Sequence, residues 1–283
     1  MKRITLMILA ILTAYSVQAQ LRMPAGSPTF ELKGTVGLAD VKVVYSRPSA
    51  KGRKVFGRLV PFGEVWRTGA NASTKISFSQ DVKIEGNPVP AGEYALYSIP
   101  GENEWTIILS KNLTWWGSLG YDAAEDFLRF TVPTKHPSSH YETFTVSFSD
   151  FKMNSAKLNM KWEKTKAVFT IENDAEAQVM AYIKEHLIDG NTAKDTDYFQ
   201  AATFYYDAHK DDQKALAWSK KAIEISGDNK KYWEIHLKAK ILARLGYNED
   251  AAAAAKESKK LAEAGGNPDY VRLNTQLINS LKF

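Results

Sequence analysis

Residues 46–74, SRPSAKGRKVFGRLVPFGEVWRTGANAST, form the densest run of anion-binding residue types in the 283-residue chain. Arg47, Lys51, Arg53, Lys54 and Arg58 fall within twelve positions with no acid among them, and Pro61, Gly63, Trp66, Arg67, Gly69 and Asn71 follow. Arginine forks beside Gly and Ser, with backbone N–H groups helping, suit an anion. Arg67 with Asn71 suits a carboxylate or sugar hydroxyls. The competing reading makes Arg47 and Arg67 structural, paired with Glu64 or Asp40, and makes Lys51–Lys54 a solvated loop, the usual fate of a charge run. The two readings part on one point: whether these arginines are spent on internal ion pairs or face a ligand.

Tryptophan adds a second chemistry. Trp66, Trp105, Trp115, Trp116 and Trp162 all lie in the first 172 residues. Exposed indoles stack on sugar rings, and buried ones fill a core. Trp105 and Trp162 sit in strand-like segments and read as core. Trp115 and Trp116 are adjacent in a loop-like segment, so one of them is expected to reach solvent. The candidate ligand-binding set is therefore Arg47, Lys51, Arg53, Lys54, Trp66, Arg67, Asn71, Trp115 and Trp116.

Catalytic and metal chemistry has less behind it. The five histidines are His136, His140, His186, His209 and His236, and the chain has no G-x-S-x-G elbow. His136 and His140 are four apart, but Pro137-Ser138-Ser139 between them opposes the helix that would put them on one face. Zinc needs three or four converging ligands, so two loop histidines read as solvated. Asp122-x-x-Glu125-Asp126 lacks the alternating ligands and the glycine of an EF-hand loop. Paired carboxylates of the glycosidase kind would have to come from Glu64, Asp122, Glu125 or Asp126. No metal and no cofactor is expected.

Two kinds of element must position these residues. From Phe30 to Ile171, short runs alternate at period two between Gly, Pro, Asn and Asp turns. The predicted strands are 30–37, 41–46, 75–78, 82–85, 93–99, 105–110, 127–132, 141–148, 156–162 and 167–172. Glu85-Gly86-Asn87-Pro88 reads as a turn, and residues 111–126 as a loop with one helical turn. Some ten short alternating strands imply an antiparallel β-sandwich. Near residue 173 the period changes to helical. Helices are predicted over 174–189, 195–209, 212–226, 230–245, 249–264 and 268–282. Gly190-Asn191 would close the first, Gly246 and Gly265-Gly266 would act as C-caps, and Asn267-Pro268 would open the last. Helix 230–245 is apolar on two faces, Ile235/Ala239/Leu242 and Trp233/Leu237/Ile241, so it should lie sandwiched in a stacked hairpin array. Its small-residue and Gly-x-Tyr positions resemble tetratricopeptide repeats over roughly residues 195–282. The fold class expected is thus β plus α in two domains, 22–172 and 173–283.

The compartment is read from the start of the chain. Lys2-Arg3, the apolar run Ile4–Tyr15 and Val17-Gln18-Ala19 match a secretory signal peptide over 1–19. The run falls short of the roughly 20 residues a spanning helix needs. Export to the periplasm or beyond is expected. Without any cysteine, structural disulfides and thiolate chemistry are excluded. Residues 21–172 carry 19 Lys and Arg against 15 acids, and residues 173–283 carry 16 against 17. That excess is too small and too local for a nucleic-acid binder.

Three strings carry a family resemblance: residues 46–74 as quoted above, PAGEYALYSIPGENEWTIILS at 90–110 and YDAAEDFLRFTV at 121–132. Together they closely resemble the bacterial family called domain of unknown function 2911, over about residues 25–172. The resemblance implies an exported β-rich domain and carries no catalytic residues. The resulting expectation is an exported envelope binding or scaffolding protein. Its β domain would hold a small ligand, anion or glycan, and its helical repeats would hold a protein partner. The alternative is an envelope hydrolase acting on a glycan or peptidoglycan-type substrate through paired carboxylates.

Overall fold

The computed structural model describes residues 23–190 and 193–281. The leader predicted at 1–19 and the helix stop at Asn191 lie outside them. Two compact units divide the chain between Ala175 and Glu176.

The first unit is an antiparallel sandwich. Its strands are β1 (Thr29–Val36), β2 (Ala39–Ser46), β3 (Thr74–Phe78), β4 (Val82–Ile84), β5 (Asn87–Val89), β6 (Gly92–Pro100), β7 (Glu104–Ser110), β8 (Asp126–Pro133), β9 (Tyr141–Ser149), β10 (Ser155–Glu163) and β11 (Thr165–Glu172). One sheet runs β1-β2-β3-β6-β7-β8 and the other β5-β4-β11-β10-β9. β2 shows the cause in its sequence. Ala39, Val41, Val43 and Tyr45 are buried, while the residues between them are exposed or half-buried up to Val44. Period-two burial turns one face of each sheet inward.

An aromatic cluster fills the sandwich. Trp66 stacks on Trp162 at 5.9 Å and meets Phe144 edge-on at 5.1 Å, with Phe56 and Trp105 completing the group. Rings in such edge and stacked contacts add to the burial energy of the core.

The strand β5 was not expected. The turn is Glu85-Gly86 alone, with both residues at positive φ, the backbone of a two-residue hairpin loop. Asn87-Pro88-Val89 then pairs back onto β4. Pro88 argues against a strand interior, but β5 lies at the sheet edge, where a missing N–H is tolerated.

The second unit is helical: α1 (Ala175–Ile183), α2 (Asp195–Asp207), α3 (Asp212–Ser226), α4 (Tyr232–Arg244), α5 (Asn248–Ala264) and α6 (Pro268–Ser280). A wider π-type turn, Lys184–Ile188, extends α1. From α2 to α6 each helix packs on the next, and the core of the unit holds Ile183, Leu216, Ile235, Ile241 and several alanines. Both predicted faces of α4 are used, with Ile235, Leu237, Ala239, Ile241 and Leu242 all buried. Asn267 caps α6 by accepting from the Tyr270 N–H, with Pro268 in its first turn. No helix among the described residues is long and apolar enough to cross a membrane.

Candidate functional site

The basic loop divides into two parts with different roles. The first, residues 47–55, straps one sheet to the other. Arg47 donates from Nε to the Phe144 carbonyl at 3.1 Å and from Nη2 to Thr145 Oγ1 at 2.8 Å, and its guanidinium lies over the Phe30 ring. The Lys51 N–H donates to Glu142, the Ala50 N–H to the Glu142 carbonyl, and the Val55 N–H to Glu163. Arg53 folds back on the Ala50 and Ser49 carbonyls. These arginines make hydrogen bonds to strand β9 and to their own loop, in place of the ion pairs with Glu64 or Asp40 that a structural role was expected to use. Lys51 and Lys54 are exposed. Asn71 is tied to the Ser27 carbonyl and to Ser46.

The second part returns to the first sheet. Trp66 exchanges both backbone hydrogen bonds with Ser98 of β6. It points inward, at 8% exposure, with its indole N–H on the Gly69 carbonyl. Trp66 is therefore a core residue and leaves the ligand-facing set, because strand alternation aims it into the sandwich. The same alternation turns Arg67 to the outer face of the sheet.

That outer face is covered. Ala95, Tyr97 and Ile108 are fully buried there, packed by Val65, Ile99, Leu113, Trp115 and Tyr121. The cover is the loop of residues 111–122. Lys75 holds it by donating from Nζ to the Leu113 carbonyl, and Tyr97 by donating to the Gly117 carbonyl at 3.2 Å. Burial pushes the Tyr97 phenol above its ordinary range, and the Ser73 hydroxyl beside it moderates the rise. Tyr121 closes the loop by donating to both oxygens of Asp126, which also binds Arg129. Burial first, and then Asp126, raise the Tyr121 phenol to about 12.

Arg67 lies against this loop. Its Nη1 would stand 2.7 Å from a side-chain carbon at Gly117, a position whose φ of +72° itself favours glycine. Its Nε is buried and has no hydrogen-bond partner. No carboxylate of the described residues pairs with Arg67. The other cations bordering the loop are engaged. Lys75 is on Leu113, Arg129 is on Asp126, and Lys111 lies over the Phe127 ring. Trp116, next to Gly117, is 67% exposed, and Leu119 is 83% exposed. Of the nine candidates, Arg67 and Trp115 come together at this loop, which also carries the exposed Trp116. Ser73, Lys75, Tyr97, Gly117 and Tyr121 join them and were not foreseen. One signal pointed to them: β6 is apolar on both faces, so something had to cover its outer side.

Of the acids offered for hydrolysis, Asp126 reaches this group, through Tyr121. Glu64 and Glu125 are exposed. Asp122 caps the single helical turn Ala123–Glu125, and Asp126 is held by Tyr121 and Arg129. His136 and His140 are exposed, and His140 stands 3.6 Å from Glu142.

Among family models, one described as a protein of unknown function (DUF2911) matches residues 27–171. No curated protein and no solved structure matches the chain.

Proposed function

We propose that the chain, which belongs to the DUF2911 family, is an exported binding protein of the cell envelope whose sandwich holds a small ligand on its outer face beneath residues 111–122. The observation that carries this reading is Arg67. A charged donor kept partly from water without a partner costs stability. Such a residue fits a place whose partner arrives from outside. The neighbouring exposed Trp116 offers the flat apolar surface on which ligand rings pack. Export rests on the leader-like pattern of residues 1–19. The paired helices fit a tetratricopeptide-like array that presents a surface to a protein partner.

The test is a thermal-shift screen of the full chain against envelope glycans, peptides and small anions, repeated with the Arg67→Met variant. A ligand that binds the folded state raises its apparent stability. We expect at least one class to raise the melting temperature of the parent and to leave the variant unmoved. A ligand that shifts both proteins equally sinks this location for the site. Release of reducing sugar from an envelope glycan would favour a hydrolase instead.

A further inference from the structure

We propose that the open edge of β1 pairs with the same strand of a second copy of the chain, so that two sandwiches share one continuous sheet. The Arg47 N–H donates to the Pro28 carbonyl, which makes these two a hydrogen-bonded pair of the β1–β2 ladder. Such pairs recur at every second residue. The register then makes Phe30, Leu32 and Gly34 the residues bonded to Tyr45, Val43 and Val41. Thr29, Glu31, Lys33 and Thr35 aim their backbone groups away from the sheet. All four are exposed, and β1 ends its sheet among the described residues. The other three edges carry devices that block strand addition. β5 has three residues, with Pro88 among them. β8 is interrupted by a register shift and ends at Pro133. β9 is covered by the loop at 48–50, where the Phe144 N–H donates to the Pro48 carbonyl and the Ala50 N–H to the Glu142 carbonyl. β1 has eight residues, no proline and an unbroken register.

Charge complementarity selects a second copy as the occupant and fixes its register. Two copies related by a two-fold axis present the same strand to each other, antiparallel. Outward backbone groups must meet outward backbone groups, so the axis falls on a residue of β1. An axis at Glu31 sets carboxylate against carboxylate, and one at Lys33 sets ammonium against ammonium. Axes nearer either end shorten the ladder. An axis at Leu32 sets Glu31 opposite Lys33 of the copy and Lys33 opposite its Glu31, with Thr29 opposite Thr35. The seven residues Thr29–Thr35 are thus self-complementary about their centre. Glu31 and Lys33 form an exposed ion pair at 2.6 Å within the strand. In the dimer each gains a second opposite charge across the edge, where directly opposed charges attract. The same register brings Phe30, 47% exposed, opposite Gly34 of the copy, which has no side chain to oppose it and is flanked by the Phe148 ring.

The test is sedimentation velocity of the full chain over a concentration series at low salt, for the parent, for Glu31→Lys and for Lys33→Glu. Both side chains are exposed, so the variants should keep the fold, which circular dichroism checks. We expect the parent to form a dimer as concentration rises. Each variant carries charges of one sign on β1 and should dimerise about tenfold more weakly or worse. An equimolar mixture of the two variants should recover the parent's affinity as a heterodimer, because an all-positive strand then meets an all-negative one at the same positions. A parent that stays monomeric throughout the series overturns the proposal. Variants that dimerise as the parent does overturn β1 as the interface. A mixture that stays as weak as its components overturns the register about Leu32.

Discussion

Two arginines twenty residues apart in one loop carry opposite energetic signs. Arg47 makes two hydrogen bonds to β9 across the sandwich. Hydrogen bonds involving a charged group contribute about 1.5–3 kcal/mol. Arg67 makes none through its buried Nε, and an apolar side chain of similar length there leaves no donor unsatisfied. Arg47→Met should therefore cost about 2 kcal/mol, while Arg67→Met should be neutral or stabilise by up to roughly 1 kcal/mol. Urea denaturation of both variants checks the pair. A large loss in Arg67→Met would mean that its guanidinium has an internal role and that no ligand need be invoked. Nothing in the residue types told the two apart, since both sit beside small residues in a basic run. Only the Trp66–Ser98 pairing decides which side of the sheet Arg67 faces.

At the scale of elements, the strands were legible because alternation is local, and the helices because their caps are. Strand β5 was hidden by Pro88, whose meaning depends on being at an edge. The site was only partly legible. Its residues come from the segment after Trp66, from β3 and β6, and from the loop of 111–122, and nothing local joins them. That loop is anchored at its end by Tyr121 on Asp126. The Tyr121 phenol, raised to about 12 in the fold, holds its proton more tightly there than in the unfolded chain, where a tyrosine titrates near 10. Its contribution to stability is therefore whole below about pH 10 and is lost as pH rises through about 12. Tyr97 and Tyr94 are raised too, so the measurement is a difference between the parent and Tyr121→Phe. Denaturation midpoints of the two should converge as pH climbs from about 9 to 12. A constant gap across that range would remove the Asp126 anchor as a linked proton site.

At the scale of the molecule, composition and packing divide the chain at nearly the same place. The positive excess belongs to residues 21–172 and the slight negative balance to 173–283, and the compact units part between Ala175 and Glu176. One core is an aromatic and β-branched sandwich filling, and the other is built on Leu, Ile and Ala between helices. A sandwich of roughly 150 residues buries about 68–70% of its unfolded surface, enough to stand alone. A stack of helical hairpins gains its stability from nearest neighbours within the stack. Fragments 23–175 and 176–281, made separately, should each unfold in a cooperative thermal transition. The first should show a β-type far-ultraviolet spectrum and the second a helical one. The ligand-dependent rise in melting temperature should travel with 23–175 alone, since Arg67, Ser73, Tyr97 and Trp116 all lie within it. A fragment 23–175 that folds but no longer responds to a ligand the full chain binds would overturn the placement of the site on the sandwich.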